Sequence, residues 1–256
     1  MNHDALLHLY ESRFRREPRP DTPGAVIERT GGVVRQSGPP PCWNGVLWSD
    51  LDERTADGAI AEQVRHFGAL GTAFEWKLYD HDRPADLGER LLAAGFAAEP
   101  PETLMIAETG RIAALPAPEP DGVRLVPVTD ADGVELVAGV HERVFGAGRL
   151  AVRERLTEQL AEGDVVAVVA MAGDVPVSAA RMDLYPGTEF AGLWGGGTEP
   201  EWRGRGVYRA LVAYRARAAA ALGYRYLQVD ASGESRPILA RLGFAALATT
   251  TPYTHP

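Results

Sequence analysis

Two periods of apolar residues run along this chain, one of two residues and one of three to four, and together they divide it into strands and helices. Residues 5–14 (ALLHLYESRF) carry helical spacing. Residues 25–36 (AVIERTGGVVRQ) read as two strands joined at Gly31-Gly32, since a pair of glycines suits the positive φ angles of a tight hairpin. Residues 44–51 form a further strand, and 58–71 a helix closed by glycine. Residues 73–82 alternate as a strand. A helix follows over 85–96 with Gly95 at its end, and 102–109 is again strand-like.

The second half repeats the alternation with longer strands. Residues 122–128 form a strand, and 130–144 and 149–161 are helical, the first opening on Thr129 or Asp130 as N-cap. Residues 164–185 are two strands about a Gly-Asp turn. The first of these is an unbroken run of Val and Ala, the pattern of a strand covered on both faces. A strand over 189–196 leads into a glycine-rich loop and a helix to about Leu222, whose inward stripe is Val207, Leu211, Tyr214, Ala218 and Leu222. Strand 224–231, a short helix over 234–244 with Gly243 as its C-cap, and a closing strand over 244–253 complete the chain.

Residues 115–121 (LPAPEPD) hold three prolines and no periodicity, so they are expected to link two domains, 1–114 and 122–256. A strand, an acidic turn, a proline, a short helix and the dipeptide Gly-Phe occur near 75–96 and again near 226–244, as in a duplicated unit. The expected class is α/β (α+β), with a mixed, mostly antiparallel sheet flanked by helices in each domain.

Bulk composition narrows the function. Across 256 residues the chain is 45% hydrophobic and 24% charged, suited to burying a sizeable core. Its net charge of −9 argues against a general nucleic-acid binder. Cys42 is the single cysteine, so neither an intramolecular disulfide nor a cysteine zinc cluster is available. No apolar run reaches membrane-span length, no signal-peptide pattern opens the chain, and a cytoplasmic protein without membrane partners is expected.

Against that acidic background, the stretch WGGGTEPEWRGRGVYRAL (194–211) stands out. From Trp202 to Val229 there are six arginines (203, 205, 209, 215, 217, 225) and no acidic residue. A glycine-rich loop opening a helix offers free amides to an anion. The Gly-Lys-Ser/Thr of a nucleotide-hydrolysing loop is absent, and position 209 is Arg where a dinucleotide fingerprint needs its third glycine.

These residues resemble the pyrophosphate loop of the GNAT superfamily of N-acetyltransferases, which reads Arg or Gln, x, x, Gly, x, Gly or Ala. Arg203, Gly204, Arg205, Gly206 and Val207 fit the first five places, and Tyr208 departs at the sixth. A second stretch, SGESRPILARLGF (232–244), is similar to the family's Asn-x-x-Ala-x-x-Leu-Tyr-x-x-Leu-Gly-Phe. There Leu242, Gly243 and Phe244 match, Ser232 replaces the Asn, and Leu239 replaces the tyrosine that often protonates the leaving thiolate. The resemblance covers 122–256 in element order. The first domain, whose helix over 58–71 follows the acidic SDLDERTADG, looks like a degenerate half without the cofactor loop.

The resemblance implies direct transfer of acetyl from acetyl-CoA, with no metal, to a small-molecule or peptide amine. Backbone near Gly196, Gly197 and Thr198 would take the pantetheine, the N–H groups from Arg203 to Tyr208 the pyrophosphate, and Ser232 and Ser235 would lie along the cofactor. Gly192 stands where some members carry a catalytic glutamate. That leaves Glu189, Asp183 and Asp230 as candidate bases, Glu189 first, and Tyr253, Ser235 or water as a substitute acid. Closing strands in this family often pair between subunits, so a homodimer is among the expectations. Two other readings are a non-catalytic acyl-CoA-binding or regulatory protein and a tandem enzyme of the mycothiol-synthase type.

Overall fold

The computed structural model describes residues 2–40, 42–146 and 148–256, which pack as two compact units. The first comprises Met1–Leu104, Asp230–Glu234 and Ala246–Pro256; the second comprises Met105–Val229 and Ser235–Ala245.

In the first unit, helix α1 (His3–Glu11) starts at Asn2, whose Oδ1 accepts from the Ala5 amide at 3.2 Å, and continues into a π-helical turn, Ser12–Arg16. Strands β1 (Val26–Thr30) and β2 (Val33–Ser37) form the expected hairpin, with Gly31 and Gly32 both at positive φ. Strand β3 (Gly45–Ser49) pairs antiparallel with β2, and helix α2 (Ala56–Leu70) crosses over to β4 (Phe74–Tyr79), parallel to β3. Helix α3 (Leu87–Ala93) and the short β5 (Ala97–Ala98) follow, and β6 (Glu102–Glu108) begins in this unit. The other edge of β4 is taken by the closing strand β12 (Ala245–His255), antiparallel from Thr250 opposite Tyr79 to His255 opposite Phe74. The closing strand is thus paired within its own chain.

The apolar face of this sheet and α2 and α3 bury Val46, Ile60, Phe67, Phe74, Trp76 and Leu91. Trp76 is core, while Trp43 and Trp48 are half-buried. Beside α1, Arg15 is buried and ion-paired with Asp82 at 2.6 Å and Glu11 at 2.8 Å. The Asp-His-Asp stretch at 80–82 therefore serves a turn and an ion-pair network, and among the described residues no cluster of metal ligands forms.

In the second unit, α4 (Thr109–Ala113) precedes β7 (Val123–Val128), α5 (Ala131–Phe145), α6 (Arg149–Glu162), β8 (Val165–Ala172) and β9 (Val175–Leu184). Then come β10 (Phe190–Thr198), a 3-10 turn (Pro200–Trp202), α7 (Val207–Ala221), β11 (Tyr226–Ala231) and α8 (Arg236–Leu242). The strand order is β7-β8-β9-β10-β11, antiparallel except at β10 and β11. Asp130 caps α5, accepting from the Gly133 amide at 2.9 Å.

Alternation along β8 accounts for its continuous apolar run. Val165, Ala167, Val169 and Met171 meet Val134, Val137, Val140 and Leu156 of α5 and α6, while Val168 and Ala170 meet Val207 and Leu211 of α7. Leu222, expected on the inward stripe, is 55% exposed, because the helix ends one residue before it. The segment 115–121 runs within the second unit. Arg209 and Arg217 of α7 donate to the carbonyls of Pro116 and Leu115 at 2.7 and 3.3 Å, which accounts for two of the six arginines. Among the described residues, no helix is long and apolar enough to cross a membrane.

Candidate active site

The site is built where β10 leaves its neighbour. Parallel pairing with β11 holds only from Phe190 opposite Tyr226 to Gly192 opposite Gln228, whereas β10 keeps its antiparallel partner β9 as far as Thr198 opposite Ser178. Between Trp194 and Gly197 the register shifts, with Gly195 at φ +57°, so the strand bulges as it departs.

Close packing explains the glycines here. A Cβ on Gly196 would lie 2.9 Å from Cε2 of Tyr208, and one on Gly197 would lie 2.9 Å from Cε2 of Phe145. The carbonyl of Gly197 accepts from Ser178 Oγ at 2.6 Å, that of Thr198 accepts from Arg203 Nε at 3.1 Å, and the Thr198 hydroxyl meets Ser178 Oγ at 2.8 Å. Ser178 thus holds the last rung of β10, and Arg203 holds the turn to the strand.

Beyond that turn, α7 opens on Gly206 at φ +85°, and no side chain caps it. The first backbone bond of the helix runs from the Ala210 amide to the Gly206 carbonyl at 3.0 Å. The amides of Val207, Tyr208 and Arg209 therefore precede the first intrahelical donor and have no acceptor within the helix. Arg205 lies over the Trp202 ring at 4.7 Å, and beside it a cavity of about 500 Å³ is lined by Trp202, Arg205, Gly206, Arg209, Pro118 and Asp121. In the first unit a carboxylate sits in the turn before α2: Asp52 Oδ1 accepts from the amides of Arg54 and Thr55, both at 2.9 Å, while α2 itself also starts without a side-chain cap.

Tyr208 and Ser235 are brought together. The Tyr208 hydroxyl is hydrogen-bonded to Ser235, and burial raises its pKa. Ser232 is exposed and falls in the first unit. Glu189 does not join the loop: it stands at the opposite end of β10, about 23 Å from Gly196 at ~3.3 Å per residue, and its carbonyl accepts from Arg225 and Tyr226. Asp183 is 4% exposed and tied to Arg181 Nε at 3.0 Å, a structural ion pair. Tyr253 packs on the first unit's core. Leu239 is fully buried, so apolar packing occupies the place of the family's tyrosine.

Two groups escape a sequence reading. Arg215 on α7 is 1% exposed and donates to the carbonyls of Leu211 and Arg181, while its Nη2 has no partner and lies 3.7 Å from where a Gly196 Cβ would be. Burial lowers its pKa to about 10. The only signal was its position one turn after Leu211 on the apolar stripe. Around Gly192, the last paired residue, a Cβ would meet Trp194 Nε1 at 2.6 Å and Gln228 Nε2 and Tyr185 Oη at 2.7 Å. Burial raises Tyr185, and Gln228 Oε1 is buried without a partner. These three residues come from different elements, and nothing in their local sequence links them.

This strand parting, followed by a glycine turn into an uncapped helix, belongs to a recognisable class, and the chain has the fold of the GCN5-related N-acetyltransferases (GNAT). It aligns over 99% of its length with 94% of a GCN5-related N-acetyltransferase from Kribbella flavida, at 18% identity and a TM-score of 0.69. It also aligns over 93% of its length with 85% of a tandem GNAT protein from the clavulanic acid biosynthesis pathway (14% identity, TM-score 0.61). A functionally unknown conserved protein from Staphylococcus epidermidis is similar as well, at 15% identity and a TM-score of 0.71 over 93% of this chain and 96% of that one. No protein-family model and no curated protein matches the chain.

Proposed function

We propose that the chain is an acyltransferase that moves an acetyl group from acetyl-CoA to a primary amine by direct attack. The uncapped start of α7, set behind the parting of β10 from β11, carries this reading. The amides from Arg203 to Tyr208 take the diphosphate, with the helix dipole adding roughly 0.3–1 kcal/mol. Arg205 and Arg209 line the adjoining cavity and offer the cationic surroundings a diphosphate needs. The pantetheine follows β10 at Gly196, beyond the last rung that β10 shares with β11. In the first unit the Asp52 carboxylate stands in the turn before α2 and repels a diphosphate there, so the second unit takes the coenzyme.

The amine nitrogen attacks the thioester carbonyl carbon, the C–S bond breaks, and the proton shed by the amine leaves with the thiolate as free thiol. A thiol of pKa about 8.5 leaves tolerably unaided, and positioning two reactants supplies roughly 7–11 kcal/mol. Buried Leu239 can donate no proton. Tyr185, protonated and adjoining the parting point, is the hydroxyl this chain offers instead.

Leu239 also favours a second reading, a protein that binds acyl-CoA without turnover. Both readings expect acetyl-CoA to stabilise the fold, by about 2.7 kcal/mol at a hundredfold excess over Kd. Only the enzyme releases free CoA faster when amines are supplied. A thiol-reagent assay over an amine panel separates them. Gly206→Asp places a carboxylate at the diphosphate and is expected to abolish acetyl-CoA stabilisation; retained stabilisation overturns the assignment.

A further inference from the structure

The face of β9 that turns toward α5 and α6 carries a guanidinium that the fold leaves partly unused. Ala179, Arg181 and Asp183 alternate along β9 and share that face, where Ala179 packs in the cluster of Val137, Val140 and Leu156. Two guanidiniums meet one carboxylate there. Arg181 Nε donates to Asp183 Oδ1 at 3.0 Å, and Arg155 Nη2 of α6 lies 3.9 Å from Asp183 Oδ2. The group therefore holds one positive charge more than its carboxylate balances. Arg181 Nη1 and Nη2 make no hydrogen bond among the described residues, and the side chain is 16% exposed, so this end of it is open to a ligand.

The forked end of Arg181 points at the bulge of β10. Its Nη1 lies 3.8 Å from where a Cβ on Gly195 would be, and Gly195 is itself half-buried, so the missing side chain leaves that approach unobstructed. The backbone at Arg181 is fixed, since its carbonyl accepts from buried Arg215 at 2.9 Å. Two residues further along β10, Gly197 lies against Phe145 of α5, which is 53% exposed. His141, one turn before Phe145 and 4.7 Å from its ring, adds no opposing charge. Burial and then the Arg181 charge hold its pKa below the ordinary value, so it is neutral at pH 7.

We propose that Nη1 and Nη2 of Arg181 bind a carboxylate on the acyl acceptor, which makes amino carboxylates the favoured acceptors. A guanidinium fork meets a carboxylate in two parallel charge-assisted hydrogen bonds, and the Nε bond to Asp183 holds the fork in place for it. The exposed ring of Phe145 offers an apolar wall to the carbons between the carboxylate and the nitrogen. Every residue named lies in the second unit. The role of acceptor rests on the acyl-transfer reading, but the carboxylate site is testable with no coenzyme present.

Calorimetric titration of the full chain with N-acetylglycine, N-acetyl-β-alanine and 4-acetamidobutyrate, each beside its carboxamide, tests it. Saturable binding of at least one carboxylate is expected, with its carboxamide weaker by about tenfold or more. Arg181→Gln should weaken the carboxylate by a similar factor and leave the carboxamide unchanged. Arg181→Lys keeps a charge beside Asp183 but presents no fork, and should weaken the carboxylate by about threefold or more. Circular dichroism checks the fold of each variant, and should Arg181→Gln unfold, Arg181→Lys carries the test. Gly206→Asp, which tests the coenzyme loop, should leave carboxylate binding intact, so either reading can fail without the other. Absence of carboxylate binding, equal binding of the carboxamide, or undiminished binding by a folded Arg181 variant overturns the proposal.

Discussion

Trp194 donates from Nε1 to the hydroxyl of Tyr185 at 3.1 Å, and both atoms lie within 3 Å of where a side chain on Gly192 would begin. The glycine leaves room for a polar cluster at the last rung shared by β10 and β11. A glutamate at that position, as some members of the resembled family carry, would have no space.

Tyr185→Phe removes the hydroxyl and keeps the ring. Turnover is expected to fall roughly 10²-fold or more, within the range for loss of one general acid. Acetyl-CoA affinity should not change. Steady-state kinetics beside a thermal-shift titration measure both, and unaltered turnover would strip Tyr185 of this role.

Leu239→Tyr restores the family's residue in name only. The leucine is fully buried in the second unit, so the larger ring overpacks the site and is expected to cost about 1–3 kcal/mol without raising turnover. Urea unfolding and the thiol assay report the two effects separately.

Arg215 makes two hydrogen bonds to carbonyls, and among the described residues it meets no carboxylate and its Nη2 has no hydrogen-bond partner. Replacing such a buried charge with an apolar chain of similar length relieves desolvation. Arg215→Met should therefore cost less than about 1 kcal/mol. Leu211→Ala, one turn earlier on the same stripe, should cost about 2–5 kcal/mol. The comparison is made by urea unfolding, and a larger loss in Arg215→Met would assign the guanidinium a structural role.

The Glu11–His81 contact at 2.7 Å makes stability depend on pH in two windows. Its hydrogen bond to His81 holds Glu11 at about 2, so this stabilisation is complete above the unfolded value near 4.5 and is lost as pH falls toward 2. His81 is raised, first by the same bond, so its contribution is complete below about 6.5 and is lost as pH rises through the higher folded value. His81→Gln should flatten the alkaline loss. Thermal melts from pH 5 to 9 show whether it does.

Much of this was legible because local rules and tertiary context agree. The Gly31-Gly32 hairpin, the Asp130 cap and the doubly covered β8 follow from residue type and period alone. The glycine turn into α7 was legible for the same reason, since glycine at positive φ is a local property. Partner choice was not. That β12 pairs with β4 depends on residues far apart in sequence, and an alternating strand does not name its neighbour. The burial of Arg215 was not legible, because a count of arginines does not say which of them turns inward, and 115–121 was read as a linker because prolines suggest one until Arg209 and Arg217 are seen holding its carbonyls. Helix α4 is too short to show a period.

The pairing of β12 with β4 also sets an order of events during synthesis. At about 5–20 residues per second, roughly ten to thirty seconds separate the emergence of β4 from that of its partner. Through that interval one edge of β4 has unsatisfied amides and carbonyls, the kind of edge on which nascent chains adhere to one another. A ribosome stalled late in the message would therefore release a chain whose earliest-made layer is still the one exposed to aggregation.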